Sequence, residues 1–308
     1  MAIDRRTAPV RWAGFIRERF PLLVHLPLVL AFGGGNLVVA LQVSGNQPGA
    51  DRVVTILAVT LLFFFRLRLF DELKDHDTDL TEHPERPLPR GLVSTAEAMR
   101  VAAGGLILEG ATILFLGWAA TAGWALAALY SLLMYREFFC GRWLRPKMEL
   151  YALTHTLVAG GLGGFIACAA TGTAPWNLPA AVMTFALVNW SVFNVFEFAR
   201  KTYGKGESDG RAETYSERLG PVGAVLLSLG WAGLAVILTG YLFPKLLPTS
   251  WIWPTRLLLL GPPVLGSVYY LLRPQRNEAR FFRAVFSAFL LVFYAVLIAA
   301  HWLRGSAS

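Results

Sequence analysis

Charge is scarce in this chain. Only 16% of its 308 residues are Asp, Glu, Lys or Arg, against about a quarter in an ordinary soluble domain. With 55% hydrophobic residues and a mean hydropathy of +0.51, that shortage excludes a water-soluble globule of this length. Cysteine is nearly absent as well. Cys140 and Cys168 are too few for a disulfide framework or a cysteine metal cluster, and both read as packing residues in or beside apolar segments. The first twenty residues, MAIDRRTAPVRWAGFIRERF, lack an apolar run ahead of a cleavage site, so no signal peptide is expected. They read as an amphipathic interfacial lead-in with Trp12, Phe15 and Phe20 on the lipid side and arginines toward anionic head groups. No internal repeat or separate soluble segment is visible, and residues 1–308 are expected to form one domain.

What is abundant is long apolar sequence. Runs able to cross a bilayer fall at about residues 21–43, 52–70, 97–118, 120–137, 150–171, 177–198, 220–243, 254–272 and 282–303. The expected fold is therefore all-α, a polytopic membrane protein built as a nine-transmembrane-helix bundle. The third and fourth spans are divided by almost no polar break, only residues 119–123. Positive charge supports the count, because 24 of the 28 Lys and Arg side chains fall in the N-terminal segment and every second loop. Arg52, Lys245, Arg256 and Arg304 are the exceptions. By the positive-inside rule the N-terminus is expected in the cytoplasm and the C-terminus outside, with the bacterial inner membrane as the expected location. The net charge of +8 calls for membrane lipids as partners and for no nucleic acid.

The charge that does occur is concentrated in Arg66 to Gly91, RLRLFDELKDHDTDLTEHPERPLPRG, directly after the second apolar run. Asp71, Glu72, Asp75, His76, Asp77, Asp79, Glu82 and His83 crowd thirteen residues. If the helix continues, Asp71, Asp75 and Asp79 share a face at successive i+4 steps, with Glu72, Asp75 and Asp79 at i, i+3, i+7. Aligned like charges repel, and a hard divalent cation such as Mg2+, completed by water or phosphate oxygens, would relieve them. A solvated acidic linker fits the spacing equally well. Pro84, Pro87 and Pro89 stop the helix and should fold the segment into a cap that turns Arg86 and Arg90 toward an anion.

A second charged stretch begins at Asn194, NVFEFARKTYGKGESDGRAETYSERLGP, on the same expected face of the membrane. Glu197, Arg200 and Lys201 lie within one helical turn, followed by Lys205, Glu207, Asp209 and Arg211. Surface i, i+4 pairing explains such a pattern locally, whereas two such stretches on one face point to one polar cavity on the cytoplasmic side. Elsewhere, Gly33, Gly34 and Gly35 permit close helix approach, and Asn36 serves equally well as interhelical glue or ligand contact. Glu109 reads as a structural carboxylate and His155 as a satisfied core residue. The loop carrying Arg142, Arg145 and Lys147 reads as a head-group face.

These residues resemble the UbiA-type intramembrane aromatic prenyltransferases. Asp71, Glu72, Asp75 and Asp79 are similar to that family's first acidic motif, Arg86, Pro87, Leu88 and Gly91 to its close, and Asn36 to its first-helix Asn. In the second motif Glu197, Asp209, Gly210, Thr214 and Gly220 find counterparts, but Lys201 stands where an acid is usual and removes a ligand for a second metal. The resemblance implies nine helices and an Mg2+-dependent transferase that passes an isoprenoid group from an allylic diphosphate to a small, commonly aromatic acceptor. It places Mg2+ on Asp71, Glu72, Asp75, Asp79 and Glu197, with Asp71, Asp75 and Asp79 as the catalytic acids. It places the donor against Asn36, Arg86, Arg200, Lys201 and Lys205, with Lys201 replacing a metal charge. Two further readings stand beside it: phosphoribosyl transfer to a polyprenyl phosphate, and a non-catalytic lipid-binding or transport protein that keeps the fold.

Overall fold

The computed structural model describes residues 7–45, 47–208, 213–240, 242, 247 and 249–305. An amphipathic helix, α1 (Ala8–Arg19), leads into α2 (Leu22–Ser44) and α3 (Ala50–Lys74), and a short α4 (His76–Glu82) follows. After the proline turn come α5 (Thr95–Leu114) and α6 (Trp118–Tyr135), the one-turn α7 (Gly141–Leu144), then α8 (Met148–Thr156) and α9 (Val158–Thr171). The chain continues through α10 (Ala180–Arg200), the one-turn α11 (Tyr215–Arg218), α12 (Gly220–Gly240), α13 (Thr249–Leu272) and α14 (Arg276–Gly305). Among the described residues eight segments are long and apolar enough to cross a membrane: α2, α3, α6, α8 with α9, α10, α12, α13 and α14. With α5, whose 20 residues carry Glu97, Arg100 and Glu109, they make the expected nine-helix arrangement. The protein is an integral, multi-pass membrane protein.

The third and fourth spans part earlier than the hydropathy implied. Helix α5 stops at Leu114 and α6 starts at Trp118, with Gly117 between them at φ +97°, a conformation that glycine supplies without strain. The fifth span is broken at Leu157 with no proline to cause it. Trp190 Nε1 donates to the Leu153 carbonyl at 2.9 Å and the Tyr130 hydroxyl to that of Thr154 at 2.7 Å. Side chains of α10 and α6 thus supply donors at the break, as the bilayer core requires.

The helices form a closed circuit in which α3 packs on α5, α5 on α6, α6 on α9, α9 on α10, α10 on α12, α12 on α13 and α13 on α14. Helix α14 returns against α2 and α10. Its close approach to α2 uses the glycine run: a Cβ at Gly35 would stand 2.7 Å from the Tyr294 ring, and one at Gly34 would stand 2.9 Å from Ile298. At this junction Asn189 Nδ2 donates to Asn36 Oδ1 at 2.7 Å and the Tyr294 hydroxyl donates to Asn189 Oδ1 at 2.8 Å. Asn36 Nδ2 donates to the Phe32 carbonyl. Gly163 on α9 lies against both asparagines.

A buried ion pair joins α3 to α5. The Arg66 guanidinium grips Glu109 through Nε at 2.8 Å and Nη2 at 2.9 Å, and donates through Nη1 to Ser131. Trp124 Nε1 donates to the same carboxylate at 3.0 Å. Glu109 is thus fully satisfied in a structural role.

The lipid-facing arrangement expected of the N-terminus is not what folds. Phe15 is 0% and Phe20 2% exposed, both in contact with Phe65, and Phe15 packs in one cluster with Leu69, Phe70, Leu88, Leu92 and Val93. The apolar face of α1 covers the proline turn, and ion pairs from Arg11 to Glu97, Arg19 to Glu72 and Arg90 to Glu18 fasten it there.

Candidate functional site

The acidic stretch keeps its helical register through a bend. Helix α3 ends at Lys74 and α4 begins at His76. The N–H of Asp75 still donates to Asp71 O, Asp79 to Asp75 and His83 to Asp79, at 2.8 to 3.0 Å. Asp71, Asp75 and Asp79 therefore follow one another at successive i+4 steps, as their spacing predicts. The turn beyond is compact: Leu92 N–H reaches Pro87 O, and Leu88 is 3% exposed.

The end of α10 and the acidic face act on each other electrically. The Asp71 charge attracts Arg200, and the Asp75 charge attracts Lys201 and Arg145. Burial pushes the Asp75 carboxyl above its ordinary range, and the charges of Asp71 and Asp79 push it further, against the opposing pull of Lys74 and Arg145. Lys201 is shifted the other way, downward, by its own burial and by Arg200. Burial disfavours the charged form of both the half-buried Asp75 and the half-buried Lys201, so a cation beside the one and an anion beside the other would stabilise both.

Several acids expected on the metal face have cationic partners of their own. Glu72, 2% exposed, is held by Arg19 at 2.6 Å and Arg68 at 3.4 Å. Asp79 is paired with Arg86 at 2.6 Å. Glu197 accepts from Arg200 Nε at 2.6 Å and Nη2 at 2.9 Å, with Lys201 Nζ at 3.7 Å. Lys74 approaches Asp71 at 3.5 Å. Among the described residues no three His, Cys, Asp or Glu side chains converge tightly enough to hold a metal by themselves. Mg2+ needs no such cage, since it takes one or two carboxylates and completes its octahedron with water and phosphate oxygens. Asp71 and Asp75 fit that requirement.

The remaining expected residues are dispersed. Asn36 is committed to the α2–α10–α14 junction. Lys205 lies exposed on the loop after α10, where its N–H donates to Pro274 O. Glu207 is bound by Arg283 at 2.5 and 3.0 Å and by the Gly204 N–H. Asp209, Gly210 and Arg211 lie outside the described residues.

One contributor was hidden in the sequence. Glu137, Phe138 and Phe139 all take left-handed φ, at 49°, 54° and 58°. Consecutive non-glycine residues adopt that region only when their surroundings enforce it. Here Glu137 accepts from Arg145 Nε at 2.8 Å, and Phe138 packs on Tyr130 and His155. The strained turn thereby sets Arg145 where it feels Asp75. No motif signals it, because no glycine marks the three positions. At the opposite end of the bundle lies a cleft of about 420 Å³ lined by Leu116, Gly117, Trp118 and Asn177, with no titratable side chain in its lining.

Residues 28–293 match the model of the UbiA prenyltransferase family. The chain belongs to that family. Solved structures with the same fold include the apo UbiA homolog from Aeropyrum pernix K1, at 17% identity over 92% of this chain and 98% of that one with a TM-score of 0.64. A digeranylgeranylglyceryl phosphate synthase matches at 16% over 91% and 98%, TM-score 0.62. The UbiA homolog from Archaeoglobus fulgidus bound to GPP and Mg2+ matches at 15% over 89% and 99%, TM-score 0.53. Comparison with curated proteins gives no match.

Proposed function

We propose that this UbiA family member is an Mg2+-dependent membrane prenyltransferase that moves an isoprenoid group from an allylic diphosphate to a small, aromatic acceptor. The observation that carries the reading is the register of Asp71, Asp75 and Asp79 at the membrane boundary, set electrically against Arg200 and Lys201. Relatives bound to GPP or DMAPP with Mg2+ support the donor class and the metal.

Asp71 and Asp75 would hold the Mg2+, which as a Lewis acid supplies charge to neutralise the leaving diphosphate. Arg200 and Lys201 bind the diphosphate from the other side and stabilise the charge that develops as the allylic C–O bond ionises. Arg86 fixes Asp79 through its ion pair, and Arg145, held by Glu137 at the strained turn, attracts the Asp75 charge and opposes the upward push of burial. The apolar bundle below accommodates the isoprenoid and keeps water from the reactive carbon. The N-terminus and this site face the cytoplasm, in line with the distribution of Lys and Arg.

The test is diphosphate release by purified protein from labelled farnesyl or geranylgeranyl diphosphate, with Mg2+ or EDTA, beside phosphoribosyl diphosphate. Release from an allylic donor only in Mg2+ is the expected result. Release from phosphoribosyl diphosphate alone would replace the proposal with sugar-phosphate transfer, and tight binding without release in the presence of aromatic acceptors would replace it with a binding protein.

A further inference from the structure

The second charged stretch does not fit a metal. Both oxygens of Glu197 are engaged by the Arg200 fork, and Lys201, four residues on and just past the end of α10, points its ammonium at the same carboxylate. Glu207, the next half-buried acid, is committed to Arg283 and the Gly204 N–H. A divalent ion here would have to displace a bidentate guanidinium and then sit beside two fixed positive charges. Arg68 adds a third, close enough that it and Arg200 repel. The same arrangement suits an anion: a planar fork and an ammonium, both held by one carboxylate, lie within electrostatic reach of Asp71 and Asp75.

We propose that the site binds diphosphate with a single Mg2+, and that Arg200 and Lys201, anchored by Glu197, replace the second cation with charge built into the protein. This rests on the reading of the site as a diphosphate and Mg2+ site. Its consequence is that part of the diphosphate affinity is independent of metal.

The experiment uses the full chain in detergent, inorganic pyrophosphate as the anion and Mn2+ as the countable ion, with bound Mn2+ measured by equilibrium dialysis and paramagnetic resonance. The expected count is one Mn2+ per chain with an uncoupled spectrum. In Lys201→Asp the expected count is two, with the broadening of a neighbouring spin. A count of two in the unaltered protein overturns the single-metal inference and leaves the diphosphate reading standing, whereas a count of zero overturns both. In EDTA the unaltered protein is expected to retain pyrophosphate binding, and Lys201→Ala to weaken it about tenfold. Equal affinity in the two proteins also overturns the inference.

Discussion

Removing the carboxylate at Glu109 should cost this protein more than removing most acids at its surface. Arg66 and Glu109 are 1% and 0% exposed, and two charge-assisted hydrogen bonds at 2.8 and 2.9 Å join them. The Ser131 and Trp124 contacts complete the set. In Glu109→Ala the guanidinium keeps Ser131 and the faces of Phe63 and Phe70, and three donors, Arg66 Nε and Nη2 and Trp124 Nε1, lose their acceptor. Breaking one side of a buried pair costs about 3–5 kcal/mol, which corresponds to a fall in Tm of at least about 5 °C. Thermal unfolding in detergent reads the change. The partner substitution decides between loss of a pair and loss of packing: Arg66→Met combined with Glu109→Leu removes both charges and should recover most of the loss. A single variant within about 0.5 kcal/mol of the parent, or a double variant worse than either single, would mean that the Arg66–Glu109 pair does not stabilise the bundle.

Other outcomes follow from the same contacts. Asp75 has its folded pKa raised, so between the unfolded value and the higher folded one the native state holds more protons, and the metal-free protein gains stability as pH falls through that window. Asp75→Asn should flatten this slope in unfolding curves taken from about pH 7 to 4, and an unchanged slope would assign it elsewhere. Gly163→Ala drives a methyl into Asn36 and Asn189 and should cost about 1–3 kcal/mol in thermal unfolding. Phe15→Ala empties the centre of the α1 contact, at about 3–5 kcal/mol. It should expose Arg17 and Arg19 to trypsin, and an unaltered digestion rate would mean that α1 is held by its ion pairs alone.

Much of the architecture was legible because bilayer length and charge asymmetry are one-dimensional signals. The apolar runs located the spans, and the i+4 spacing of Asp71, Asp75 and Asp79 survived the bend because the backbone hydrogen bonds continue through it. Pairings across the sequence were not legible. Arg66 meets Glu109 across 43 positions and Arg19 meets Glu72 across 53, so the i, i+4 spacing offers Arg68 to Glu72 but nothing local reveals Arg19. The burial of Phe15 and Phe20 was missed for a related reason. An amphipathic helix fits a lipid surface and a protein groove equally well, and only the folded proline turn provides the groove. The break at Leu157 and the left-handed turn at Glu137 carry no glycine or proline at the deviating residue, and tertiary contacts impose them.

The proposed function places Asp75 in an Mg2+ site that ionises an allylic diphosphate. Its most direct test is single-turnover release of diphosphate from labelled geranylgeranyl diphosphate by the parent and by Asp75→Ala, each with Mg2+ and with EDTA. Release in the parent with Mg2+ alone and a loss of about 10²-fold or more in the variant are expected. Release that persists in EDTA, or that Asp75→Ala leaves at the parental rate, would contradict it.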